Sequence, residues 1–167
     1  MTSAKLYTTE KLINFSKVRS TTEKLKALNK IIGFTNGCFD LLHPGHIQLI
    51  KMAKKSCDIL IVGLNSDKSV KILKGNKRPI QNELTRALIL SSLTNVDFVT
   101  IFNELHPLKL IKTIRPNVLF KGSDYILDQV VGADFVISYG GKVEIISLLP
   151  SFSTTNIIKN ILYKMRE

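Results

Sequence analysis

The sequence predicts an α/β fold, a doubly wound parallel sheet with helices on both faces, and three observations carry that prediction. Short apolar runs such as Ile59-Leu60-Ile61-Val62-Gly63-Leu64, of the kind buried on both faces of a parallel sheet, alternate with amphipathic helical patterns along most of the chain. The first two runs and the helix between them fit within about 35 residues, the length of a right-handed βαβ unit. Each polar cluster also falls directly after a strand, and ligands bind outside the carboxyl ends of the strands in such sheets.

Taken in order, residues 1–30 read as a leader with one or two helices: Leu12, Ile13 and Phe15, then Leu25 and Leu28, recur at roughly helical spacing among lysines. This leader is expected to pack on the edge of a domain spanning 31–167. The first strand opens at Ile31 and gives way to a small polar turn, Thr35-Asn36-Gly37-Cys38-Phe39-Asp40. A helix follows, with Ile47, Leu49, Ile50 and Ala53 on its apolar stripe and Gln48, Lys51, Lys54 and Lys55 opposite. The second strand ends at Asn65-Ser66-Asp67, a turn-forming triplet. A polar loop is expected over 71–82, a helix over 83–93, a strand over 96–102 and a helix over 108–114. The fourth strand, Val118-Leu119-Phe120, breaks at Lys121-Gly122-Ser123-Asp124-Tyr125. Gly132 to Ile137 leads to a Gly140-Gly141 turn, a fifth strand runs over 143–149, and Ser153-Thr154-Thr155-Asn156 caps a closing helix over 157–165. The whole is a Rossmann-like arrangement with no repeat or linker dividing it.

With 167 residues, 44% of them hydrophobic, the chain can bury an ordinary core as one domain. Its formal net charge of +11 favours anionic partners such as nucleotides and sugar phosphates, although a solvated lysine surface would give the same total. Cys38 and Cys57 are too far apart for a CxxC metal or redox motif, which points to a reduced, cytoplasmic protein. No apolar run approaches a membrane span, so neither membrane nor secretion is expected. A basic nucleic-acid-binding module is the rival from another class, but no helix-turn-helix, RNP or zinc-finger pattern supports it.

The chemistry concentrates where the first strand meets its helix. A helix N-terminus offers unpaired N–H groups and the positive end of the macrodipole, a ready seat for phosphate. His43 and His46, three residues apart, share one face there. The stretch is neither GxGxxG nor GxxxxGK[ST], and it lacks the glutamate of HExxH. Nothing suggests a lowered pKa for Cys38, so it is not read as a nucleophile. Asp40 has two readings, as an acceptor of backbone N–H bonds that holds the loop and as a contact to Mg²⁺. Arg86 could reach this site or pair on the surface with Glu83.

Gly37-Cys38-Phe39-Asp40-Leu41-Leu42-His43-Pro44-Gly45-His46 resembles GxFDxxHxGH, the HxGH signature of cytidylyltransferase-like nucleotidyltransferases. Ser153-Thr154-Thr155 resembles their second phosphate motif. With Asn65-Ser66-Asp67, Lys74-Gly75, Arg78-Pro79, Val96-Asp97, Lys121 to Tyr125 and Val131 to Asp134, the likeness narrows to the D-glycero-β-D-manno-heptose 1-phosphate adenylyltransferases of bacterial ADP-heptose synthesis. That resemblance runs from about Leu6 to the end. It implies transfer of AMP from ATP to the sugar 1-phosphate with release of pyrophosphate, Mg²⁺ held mainly through the phosphates, and a homodimer.

By the same resemblance His43, His46 and Lys74 are catalytic. Thr35, Asn36, Gly37, Cys38, Phe39, Asp40, Gly45, Lys121, Gly122, Asp124, Ser153, Thr154 and Thr155 line the nucleotide, and Asn65, Asp67 and Arg78 face the substrate. A cytidylyltransferase acting on glycerol 3-phosphate or a similar alcohol phosphate shares these signatures and is the enzymatic alternative. The chain departs from the family at Leu105-His106, where an Asp-Thr pair is common, and at Ser123, where glycine is common. The first departure loses a carboxylate. The second is harmless unless that position needs a positive φ.

Overall fold

The structure is a computed structural model, and it describes residues 9–123, 125–148 and 152–165. Five strands form one sheet: β1 (Ile32–Gly37), β2 (Ile59–Asn65), β3 (Phe98–Phe102), β4 (Val118–Gly122) and β5 (Lys142–Ile146). All neighbouring pairs are parallel, in the order β3-β2-β1-β4-β5. The chain winds outward from β1 to β3, then returns across the sheet to β4. The order therefore reverses between β1 and β4, and the crevice beyond their carboxyl ends is where a ligand would sit.

Seven α-helices accompany the strands among the described residues: α1 (Phe15–Ala27), α2 (Pro44–Lys55), α3 (Asp67–Lys74), α4 (Glu83–Ser91), α5 (Leu108–Ile114), α6 (Ala133–Ser138) and α7 (Thr154–Lys164). The two-residue period of β2 divides the core. Leu60, Val62 and Leu64 pack with Leu49, Ile50 and Ala53 of α2 and with Ala87 and Leu90 of α4. Ile61 points the other way, with Val18 of α1, Ile111 and Ile114 of α5 and Val136 of α6. Gly63 is required on that second face, since a Cβ there would lie 2.8 Å from the Phe34 ring and 3.0 Å from Leu110.

Several boundaries differ from the sequence reading. Residues 71–74 belong to α3 and not to a loop over 71–82, because Asn65-Ser66-Asp67 is a helix start. Ser66 is the N-cap and its hydroxyl accepts from Ser69 N–H, Asp67 lies in the first turn, and Lys71 and Lys74 lie in the last. Leu28, read as part of the leader's apolar stripe, is the exposed C-cap of α1, and Val18 and Thr22 are the buried positions of that helix. The third strand begins at Phe98, two residues late, and the segment after Gly132 forms α6. α7 begins at Thr154, three residues early, and buries none of its side chains. No helix among the described residues is long and apolar enough to cross a membrane.

Candidate active site

The loop after β1 is pinned from beneath. Asp40 is 1% exposed, and its carboxylate accepts from Arg78 Nε at 2.5 Å, Ile80 N–H at 2.8 Å and Gln81 N–H at 3.0 Å. Burial pushes this carboxyl up, but the N–H groups of Gln81 and Ile80 and the Arg78 guanidinium outweigh burial and hold it below its ordinary value. Of its two readings, the loop-holding one is what these contacts describe. Phe39 reaches φ +44° to make the turn, an unusual conformation for a residue with a bulky side chain. Across the switch point, Lys121 of β4 donates from Nζ to Asn36 Oδ1 at 2.5 Å, joining the ends of β1 and β4.

Above this loop stand the two imidazoles. His43 is the N-cap of α2 but makes no side-chain cap bond, and Pro44 follows at the first helical position. The rings of His43 and His46 stack with centroids 3.7 Å apart and planes inclined by 27°. Nδ1 of each is buried without a hydrogen-bond partner among the described residues. Buried polar atoms are rarely left so. Burial, and to a lesser degree the neighbouring His43, push His46 down to about 3, and burial lowers His43 as well. At neutral pH His46 is therefore an uncharged donor and acceptor.

Gly45 makes room for this pair. A Cβ there would stand 3.2 Å from Cε1 and Nδ1 of His43, and 3.9 Å from Phe152 Cβ. The second contact shows where the C-terminal motif lies. Ser153, the N-cap of α7, accepts from Asn156 N–H at 3.1 Å, and Thr154 Oγ1 donates to Leu41 O at 3.4 Å. Two helix N-termini, more than a hundred residues apart in sequence, thus meet at the histidine loop. A groove of about 600 Å³ runs from His43 along α2 past Pro44, Ile47 and Met52.

The remaining residues of interest form a buttress. Asn65 is buried and donates from Nδ2 to Ser69 Oγ at 2.9 Å. Asp67 Oδ1 accepts from Arg86 Nη2 at 2.7 Å, and Arg78 is committed to Asp40. All three residues that the resemblance assigns to the substrate thus hold internal partners. Arg86 is 1% exposed, so neither a surface pair with Glu83 nor free reach into the site describes it. Its place on the buried face of α4 beside Ala87 and Leu90 was the available signal, a cation within an apolar stripe. Lys74 ends α3 exposed, ahead of Gly75 at φ +92°. Burial pushes the Cys38 thiol up, against the charges of Lys74, Arg86 and Arg78, so a thiolate is disfavoured.

Thr35 Oγ1 is buried with no partner among the described residues, and Gly122 is buried at the end of β4. Asp124 lies outside the described residues. Ser123 has no positive φ, and its hydroxyl accepts from Leu148 N–H at 3.0 Å, tying the end of β4 to the segment after β5. Glu104 pairs on the surface with Lys109 at 3.0 Å, and His106 is exposed. Among the described residues no group of three His, Cys, Asp or Glu is placed to hold a metal ion.

A family model described as cytidylyltransferase-like matches residues 34–160. A protein from Paramagnetospirillum magneticum named bifunctional protein HldE is 51% identical over 151 residues, covering 90% of this chain and 31% of that protein. One of the same name from Nitrobacter winogradskyi is 59% identical over 128 residues, covering 77% and 26%. The chain thus spans about a third or less of the length of these relatives. Among solved structures, a lipopolysaccharide core biosynthesis protein from Thermoplasma volcanium superposes with a TM-score of 0.58 at 28% identity, covering 72% of this chain and 97% of the other. A pantoate-beta-alanine ligase from Francisella tularensis superposes at 0.62 with 23% identity, covering 93% and 79%, a likeness of fold.

Proposed function

This chain belongs to the cytidylyltransferase-like family, and from that premise we propose that it transfers AMP from ATP to D-glycero-β-D-manno-heptose 1-phosphate, giving ADP-heptose and pyrophosphate. The observation that carries this reading is the stacked pair His43 and His46, each with an unpartnered buried Nδ1, beside the N-terminus of α7. The high identity to the relatives named bifunctional protein HldE supports it.

A phosphate oxygen of the sugar 1-phosphate attacks the α-phosphorus in line. The bond from that phosphorus to the bridging oxygen breaks, and pyrophosphate leaves with the electron pair. The nucleophile is already an anion, so no general base is required. What the residues must supply is position and charge stabilisation. His43 and His46 donate to the triphosphate, Lys74 closes over it as a mobile charge, and Ser153, Thr154 and Thr155 seat phosphate oxygens at the start of α7. The loop from Thr35 to Asp40, with Gly45, Lys121, Gly122 and Asp124, lines the nucleotide, while Asn65, Asp67 and Arg78 shape the acceptor side. Mg²⁺ enters with ATP as part of the substrate, held by its phosphates.

In this reading residues 31–167 are the catalytic domain and 1–30 a leader against its edge, which the packing of Val18 of α1 in the second core supports. The protein acts in the cytoplasm as a homodimer, needing neither nucleic acid nor membrane. Ile161 and Leu162 of α7, 47% and 56% exposed, support an interface at that helix. Incubation with each nucleoside triphosphate and either heptose 1-phosphate or glycerol 3-phosphate, following pyrophosphate release, tests the function. Turnover by ATP with the heptose supports it, and turnover confined to CTP with glycerol 3-phosphate refutes it.

A further inference from the structure

Arg86 carries a full charge into the core, and its donors point to three different segments. Nε donates to Gln81 O at 2.9 Å, Nη1 to Cys38 O at 2.5 Å, and Nη2 to Asp67 Oδ1 at 2.7 Å. Cys38 lies in the histidine loop after β1, Asp67 is the first residue of α3, and Gln81 belongs to the segment that leads into α4. Gln81 N–H in turn donates to Asp40 Oδ1 at 3.0 Å, two residues beyond Cys38. The bonds close a ring: Cys38 to Asp40 through the chain, Asp40 to Gln81, Gln81 to Arg86, and Arg86 back to Cys38. A buried ion pair is a weak source of stability, because desolvation offsets most of the attraction. A planar fork with fixed donor directions is, however, well suited to setting three segments at one distance from each other.

We propose that Arg86 is a positioning residue that locks the histidine loop to α3, so that His43 and His46 on one side and Lys74 on the other close on the same triphosphate as a unit. The proposal rests on the adenylyltransferase reading above and adds to it how the two sides of the site are kept in register. α3 is only eight residues long, from Asp67 to Lys74, so a displacement at its start is carried to its end. A lysine at position 86 would keep the charge but lose the fork, and is expected to fail in the same way.

A double-mutant cycle tests this, because a residue that merely stabilises the fold lowers the active fraction equally for every variant. Lys74→Ala should lower kcat for AMP transfer about 100-fold in the parent, but less than about tenfold in the Arg86→Gln background, since the helix that carries Lys74 is no longer tied to the histidine loop there. Arg86→Lys should not restore the parent penalty. Equal penalties for Lys74→Ala in both backgrounds overturn the proposal. Should Arg86→Gln not fold, Asp67→Ala, which cuts the link to α3 at a partly exposed residue, takes its place in the cycle with the same two outcomes. If the parent shows no transfer at all, the functional reading has failed. The cycle is then read on ATP dissociation constants by calorimetry, where coupling supports the lock and additivity overturns it.

Discussion

Replacing Asp40 with alanine separates its two readings, because they predict opposite patterns of stability and activity. Its carboxylate is buried and receives Arg78 Nε and the N–H groups of Ile80 and Gln81, and the Arg78 side chain is itself only 14% exposed. The substitution removes three charge-assisted bonds and leaves a mostly buried guanidinium and two backbone donors without an acceptor. Breaking a buried pair from one side costs about 3 to 5 kcal/mol, which is roughly 10 °C in Tm for a chain of this size. Urea and thermal unfolding followed by circular dichroism measure it. The pH dependence has a defined sign. A carboxyl held below its ordinary value of 3.8 contributes stability that is present above that pH and lost as pH falls through the native value. The parent should therefore lose stability below about pH 4 more steeply than Asp40→Asn. If Asp40→Ala unfolds within about 0.5 kcal/mol of the parent, as an ordinary surface substitution would, while abolishing turnover, the carboxylate serves the reaction and not the loop, and the reasoning fails.

Three further outcomes follow from the same geometry. Gly45→Ala should lower kcat/KM for ATP at least about tenfold, because the new methyl meets the His43 ring at 3.2 Å and a small misplacement near the reacting atoms is costly; unchanged steady-state kinetics would refute the close fit. His46, held near 3 against an ordinary 6.5, binds a proton more readily unfolded, so stability should fall as pH drops from 6.5 toward 3, and His46→Asn should flatten that slope in acid titrations of Tm. Ser123→Gly should leave the fold intact but cost about 1 kcal/mol by removing the acceptor of Leu148 N–H, measured by urea unfolding.

The pattern of short apolar runs and amphipathic stripes was sufficient for the parallel sheet, because strands buried on both faces and helices buried on one leave different periods in the chain. The run 59–64 is β2 to within a residue, and Leu49, Ile50 and Ala53 of the α2 stripe are buried, while Ile47 lines the groove outside. Boundaries set by capping were harder to see. Asn65-Ser66-Asp67 serves equally as a turn and as a helix start, and the burial of Val70 on the core side decides for the helix. Of the candidate site residues, the structure places His43, His46 and Gly45 together at the start of α2 and Ser153 at the N-cap of α7, positions that their types and local spacing already indicated.

What the sequence by itself determined is most of the elements and the capped starts of α2 and α7, since both follow from interactions between residues a few positions apart. Tertiary structure alone decided the partners of Asp40, Asp67, Arg78 and Arg86. A charged side chain carries no local signal of which distant group will face it, and the same arginine is a solvated charge or the centre of a buried ring according to how α4 is laid against the ends of β1 and β2. It also decided that the starts of α2 and α7 meet, because that proximity arises from the return of the chain across the sheet and from no pattern within either segment.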